Sequence, residues 1–146
     1  MYRISLFVVL MLLISCIGWP LRASVYNNGR FGSVMIRGNT IQVEFVEQER
    51  DWYNGLSRRS SMCDNCGMMF NFFNSSPKTF VMREMNFPLD IIWINRGELI
   101  GISANLQAEQ KEPYTPYPSV GNVDQVLELN AGTAEKLGLI IYDRIE

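Results

Sequence analysis

Pro88-Leu89-Asp90-Ile91-Ile92-Trp93-Ile94-Asn95-Arg96-Gly97-Glu98-Leu99-Ile100-Gly101-Ile102 is the stretch that decides the fold. Residues 89–94 are apolar at every position but Asp90, with no polar residue at alternate places. A strand with one wet face would alternate, so this pattern predicts a strand buried on both faces. Asn95-Arg96-Gly97 supplies turn residues, and 98–102 resumes as a second strand, which together make a β-hairpin.

Working outward, Val34-Met35-Ile36-Arg37 and residues 41–46 are β-like runs with Gly38-Asn39 between them as a hairpin turn. Residues 48–56 carry helix-compatible charges with Trp52 and Leu56 on one face, which predicts a short helix ending near Gly55. A loop at 63–67 leads into Met68-Met69-Phe70 and Phe72-Phe73, and Phe80-Val81-Met82 reads as a strand start. On the other side, residues 105–122 hold Pro113, Pro116, Pro118 and Gly121, a long loop of the kind that often carries function. Gln125-Val126-Leu127-Glu128-Leu129 is a further strand. Asn130 is placed to cap a short helix over 131–137 that stops at Gly138, and 139–145 reads as a closing strand. The class expected is α+β, mostly β: a compact antiparallel or mixed, β-barrel-like domain with two short helices.

The 146 residues are 47% apolar and 19% charged, an ordinary globular composition for one domain plus an export segment. A net charge of -2 gives no long-range pull on phosphate backbones, which argues against nucleic acid as a partner. There is no histidine, so within this chain a Ser-His-Asp or Cys-His hydrolase and a His-ligated zinc enzyme are excluded.

Residues 4–14 are apolar apart from Ser5, too short for a comfortable membrane span and of the length of a signal-peptide core. The run ends in Leu13-Ile14-Ser15-Cys16, which resembles a bacterial lipobox with Cys16 as the lipidated residue. Cleavage further on, after Ala23, and an uncleaved anchor through Trp19 are the alternatives. All three place the remainder in the bacterial cell envelope, on the periplasmic or extracellular side, attached to the membrane by a lipid or a signal anchor. The expected organisation is an export segment over 1–16, a tether over 17–32 rich in Gly, Pro and Asn, and a domain over 33–146.

Several segments together carry a family resemblance. They are Gly55-Leu56 with Arg58-Arg59, Gly67-Met68-Met69-Phe70, Phe80-x-Met82-Arg83, residues 88–94, Tyr117-Pro118-Ser119, and Val126-Leu127-Glu128-Leu129-Asn130-Ala131-Gly132 with Ala134 and Gly138-Leu139. In this order and spacing they resemble the family called domain of unknown function 192. The resemblance implies a compact β-rich exported domain, and it implies no particular activity. The chain departs from the family's usual F-W-M-K-N-T pattern: Val81 stands for Trp, Arg83 for Lys, and Glu84 and Met85 for Asn and Thr. A site built on that Asn or Thr would be altered here.

Six residues are candidates for ligand binding: Arg83, Glu84, Asp90, Trp93, Tyr114 and Tyr117. Arg83 could grip a carboxylate or a sugar hydroxyl, with Asp90 accepting from the ligand. The plainer reading of Asp90 is a structural carboxyl that bonds nearby backbone N–H groups. Trp93, Tyr114 and Tyr117 could form a stacking rim, or could simply pack the core and loop. Cys63-Asp64-Asn65-Cys66 reads as a disulfide staple, with a thiol–disulfide centre or a partial metal site as alternatives. No metal and no cofactor is expected, and the methionines near Phe70, Phe72 and Phe80 read as soft core. The leading functional reading is a non-catalytic, envelope-attached binding or accessory domain for a small polar molecule, glycan or peptide. The alternatives are an envelope enzyme, working by thiol–disulfide exchange at Cys63/Cys66 or by hydrolysis with Asp90 and Glu84, and a structural component of an envelope assembly.

Overall fold

The computed structural model describes residues 30–146. The export segment, Cys16 and most of the tether lie outside them. Residues 30–32, read from their composition as the end of the tether, belong instead to the first strand.

Six strands make one mixed sheet in the order β1-β2-β3-β8-β5-β6. They are β1 (Arg30–Ile36), β2 (Asn39–Val46), β3 (Cys66–Ser76), β5 (Leu89–Asn95), β6 (Glu98–Leu106) and β8 (Val123–Asn130). Two short strands, β4 (Thr79–Phe80) and β7 (Tyr117–Pro118), pair separately. The hairpins β1–β2 and β5–β6 close through Arg37-Gly38 and Arg96-Gly97, with positive φ at all four residues. That is the two-residue turn whose twist matches the flanking strands, and it explains the glycine at the second position of each. The first turn therefore falls one residue earlier than the Gly38-Asn39 expected, because Asn39 already pairs with Ile36. Among the described strands only β2 and β3 pair in parallel, and the crossover between them carries α1 (Glu49–Asn54).

Both faces of the sheet are covered, as the unbroken apolar run in β5 requires. On one face Ile36, Ile41, Val43, Met69, Ile92, Ile94, Leu127 and Leu129 pack with Ala134 and Leu139 beneath α2 (Thr133–Lys136). On the other, Val46, Met68, Phe70, Ile91, Trp93 and Val126 pack with Leu56, Met82 and Met85 from the α1 crossover and the β4–β5 connection. Leu89, Ile91, Ile92, Trp93 and Ile94 are each 0–1% exposed. At about 1.5–3 kcal/mol for each large apolar side chain fully buried, β5 easily outweighs the cost of taking one carboxyl into the interior.

Three further expectations are corrected. The sheet does not close into a barrel: β1 and β6 are its two edges and do not pair with each other. Residues 139–145 do not form the closing strand. They turn, and the chain end makes isolated bridges to both edges, Ile36 with Ile145 and Glu98 with Arg144. Short reciprocal bonds between Met35 and Glu146, and from the Leu99 N–H to the Asp143 carbonyl, fasten this latch. Asn130 does not cap α2. Its side-chain amide donates to the Met62 and Cys63 carbonyls, and the cap comes from Asp90, whose Oδ2 accepts from the Ala134 N–H at 2.9 Å.

Candidate functional site

On the α1 side of the sheet a cleft of about 340 Å³ opens above β3 and β8. Its walls follow from local sequence. Trp52 leaves α1 beside β3, donates its indole N–H to the Val46 carbonyl at 3.3 Å, and meets Phe72 edge-on with ring centroids 4.9 Å apart. Phe70 and Phe80 meet at 5.1 Å, again edge to face. Gly55 ends α1 with φ 47°, and a β-carbon there would come within 3.4 Å of the Phe70 ring and 4.0 Å of Glu128 Oε2. The turn after it is tied down by a hydrogen bond from Ser57 Oγ to the Arg83 carbonyl at 2.8 Å and one from the Arg58 N–H to the Glu84 carbonyl at 2.8 Å.

Glu128 lines this cleft from β8. Its strand neighbours are Met68 and Ile91, so it stands among apolar side chains and is 6% exposed. Its Oε2 is the one buried side-chain polar atom without a hydrogen-bond partner among the described residues. Loss of solvent drives its pKa up to about 8, and the Arg59 charge only partly opposes this. Arg59 is already engaged by Glu44, in a bidentate pair of 2.7 and 3.1 Å. At neutral pH Glu128 is therefore a neutral acid, able to donate as well as accept.

Two cations edge the cleft. Lys78 Nζ lies 4.6 Å above the Phe72 ring and donates to Ser76 Oγ. The Arg83 guanidinium stacks 3.7 Å over the Tyr53 ring and donates to the Tyr53 carbonyl. Beyond Arg83 the cleft continues into a more polar groove of about 420 Å³, which Arg58, Glu84, Glu112 and Tyr114 line. Arg58 Nε and Glu84 Oε2 pair there at 2.6 Å. The Tyr114 hydroxyl is held above its ordinary pKa, first by desolvation and then by Glu84 and Glu112, so it remains a neutral hydrogen-bonding group.

The fold thus gathers Arg83, Glu84 and Tyr114 from the six candidates and sends the other three elsewhere. Asp90 is fully buried, with Oδ1 accepting from the Asn105 N–H at 2.8 Å and Oδ2 from Ala134. Trp93 is fully buried and donates to Ser103 Oγ at 3.0 Å. Tyr117 is half-buried in β7, paired with Phe80. Cys63 and Cys66 lie at bonding distance with Cα atoms 5.2 Å apart. Strand β3 begins at Cys66, so the pair opens a strand and not a helix, whose N-terminus is the usual device for lowering a thiol pKa.

Glu128, Lys78 and the aromatic walls did not stand out in the sequence. One signal was there: Glu128 interrupts Val126-Leu127-x-Leu129 as Asp90 interrupts its own apolar run. A charged residue inside a buried strand demands a partner or a task.

The fold and this geometry can be set beside known proteins. A protein of unknown function from Novosphingobium aromaticivorans is 30% identical with a TM-score of 0.74, over 80% of this chain and 84% of that one. A Sinorhizobium meliloti protein put forward as a transcription regulator is 31% identical with a TM-score of 0.74, over 81% of this chain and 94% of that one. No curated protein matches. The family DUF192, described as an uncharacterized ACR, matches residues 32–146, most of the chain and all but the start of the folded part. This protein belongs to the DUF192 family.

Proposed function

We propose that this chain is a non-catalytic binding domain attached to the cell envelope, whose small ligand sits in the aromatic cleft with a polar atom on Glu128. The observation that carries the reading is the buried Glu128 oxygen without a partner. A fold that keeps an unsatisfied carboxyl among apolar residues loses stability by doing so, and a ligand that supplies the missing bond recovers it. The cleft has the size and the apolar lining, with a few polar groups, that small-molecule sites share.

Hydrolysis by Asp90 with Glu84 has no support in this geometry. Both Asp90 oxygens serve the fold, and Glu84 lies in the outer groove on Arg58. Screening ring-bearing fragments by NMR, with the Trp52 indole N–H as reporter, tests the binding reading. Fragments that move this resonance should lose about tenfold in affinity in Glu128→Leu, which cannot hydrogen-bond. A screen in which cationic, neutral and anionic fragments all leave Trp52 unmoved would refute it.

The location rests on the apolar run at 4–14 and on cysteines placed to pair in an oxidising compartment. Mass spectrometry of the mature chain should find an N-terminus at Cys16 carrying lipid, with Cys63 and Cys66 oxidised. Unprocessed protein starting at Met1 in the cytosol, with both thiols reduced, would remove the envelope from the proposal.

A further inference from the structure

The cleft also states the charge of what it takes. We infer that the ligand is an organic anion, an apolar ring-bearing body between the aromatic walls with its carboxylate or phosphate on Lys78 and Arg83. This rests on the binding reading and goes beyond it.

The two cations are the basis. Among the described residues neither Lys78 nor Arg83 has a carboxylate within ion-pair distance, whereas the adjacent Arg58 and Arg59 are committed to Glu84 and Glu44. Lys78 rests on a ring and a hydroxyl, Arg83 on a ring and a carbonyl. These contacts hold the side chains at the cleft and leave both charges without a direct ion pair, the acids nearest Arg83 being Glu84 and Glu112 in the groove beyond it. An anionic oxygen makes shorter and stronger bonds to an ammonium or guanidinium than a neutral acceptor does, so an arriving anion gains what these contacts lack. Arg83 suits either head group, since its planar fork matches carboxylate and phosphate alike.

The groups around Glu128 reinforce the sign. From β3 and β5 it faces the uncharged Met68 and Ile91. Among the described residues the charge that shifts it is that of Arg59, which Glu44 from β2 holds, and the charged residues that line the cleft with it are Lys78 and Arg83. With Glu128 neutral, the lining is cationic, and a neutral carboxyl can donate to an oxygen of the ligand. A cationic ligand would meet two like charges at the mouth. Once Glu128 ionises, above about pH 8, a negative charge appears in the lining and an anion binds less well.

Isothermal titration of the whole chain with four probes that share a phenyl ring decides the matter: 3-phenylpropionate, phenyl phosphate, 2-phenylethanol and 2-phenylethylamine. One of the two anions should bind at least about tenfold more tightly than the alcohol, and the amine more weakly than either. Which anion leads separates carboxylate from phosphate. Lys78→Gln and Arg83→Gln should each erase about tenfold of the anion's affinity and leave the alcohol unchanged, Arg83→Lys should restore part of it, and the anion's advantage should shrink above the Glu128 pKa of about 8. Melting curves confirm that these rim variants fold. If the alcohol or the amine binds as well as the anions, and still depends on Glu128, the binding reading stands and the anion assignment fails. If all four probes fail to bind, both fail.

Discussion

Glu128→Gln should be more stable than the natural chain at neutral pH, and the gap between them should widen as pH rises towards 8. The native state holds the Glu128 proton with a pKa of about 8 against an ordinary 4.5, so folding favours the protonated form. The contribution is complete below the lower value and disappears as pH climbs through the upper one. Each pKa unit corresponds to about 1.4 kcal/mol, so the whole change amounts to about 4–5 kcal/mol. Against a total stability of about 5–15 kcal/mol for an ordinary domain this is a large fraction. Glutamine keeps the shape and cannot ionise, and it still leaves an amide short of partners, so a gain of about 2–3 kcal/mol near pH 7 is the expected size. Urea denaturation of both chains at a series of pH values gives the answer, because the other carboxyls titrate alike in each and cancel in the difference. Parallel stability curves for the two chains would mean that Glu128 is not held protonated, and the pH argument for the cleft would fall with it.

Asp90→Ala should do the opposite. It removes about 2–4 kcal/mol by leaving the buried N–H of Ala134 and the part-buried N–H of Asn105 without their acceptor. The loss reaches three elements, since Asp90 on β5 holds the end of β6 and the start of α2 together. The urea midpoint should fall, and amide hydrogen exchange at Asn105 and Ala134 should quicken before the rest of the sheet. Asp90→Asn keeps the volume but turns an NH2 towards one of the two donors, so it should lie between the extremes. Ligand affinity, measured below the new melting temperature, should be unchanged, which separates this carboxyl from Glu128. A loss of less than about 1 kcal/mol would show that the two bonds carry little of the fold.

These two residues also mark how far the sequence could be read. Both interrupt apolar strands, Asp90 in Leu89-x-Ile91 and Glu128 in Leu127-x-Leu129. The rule that a buried charge needs satisfaction applies equally to each, and the acceptors and donors that meet the rule come from far along the chain. Asn105 and Ala134 reach Asp90 across 15 and 44 residues, while nothing among the described residues reaches Glu128 Oε2. Arg83 and Glu84 were legible as charged candidates and Tyr114 as an aromatic one, but the sequence set the first two with Asp90 and the third with Trp93 and Tyr117, and only the fold brings the three to one groove. Trp93 could be read as rim or as core, and its burial follows from β5 lying between β8 and β6 with the Phe80 ring packed edge to face on its own.

Local patterning alone determined the hairpin of β5 and β6, the short helix before Gly55 and a sheet covered on both faces, since these depend on side-chain period and turn chemistry within a few residues. The tertiary structure alone decided that the sheet stays open with the chain end latching both edges, that Asp90 belongs to the scaffold, and that Glu128 belongs to the cleft. The physical reason is the same throughout: hydrogen-bond satisfaction and desolvation are set by groups brought together from distant segments. A sequence shows which residues need a partner, and only the packed chain shows which of them go without.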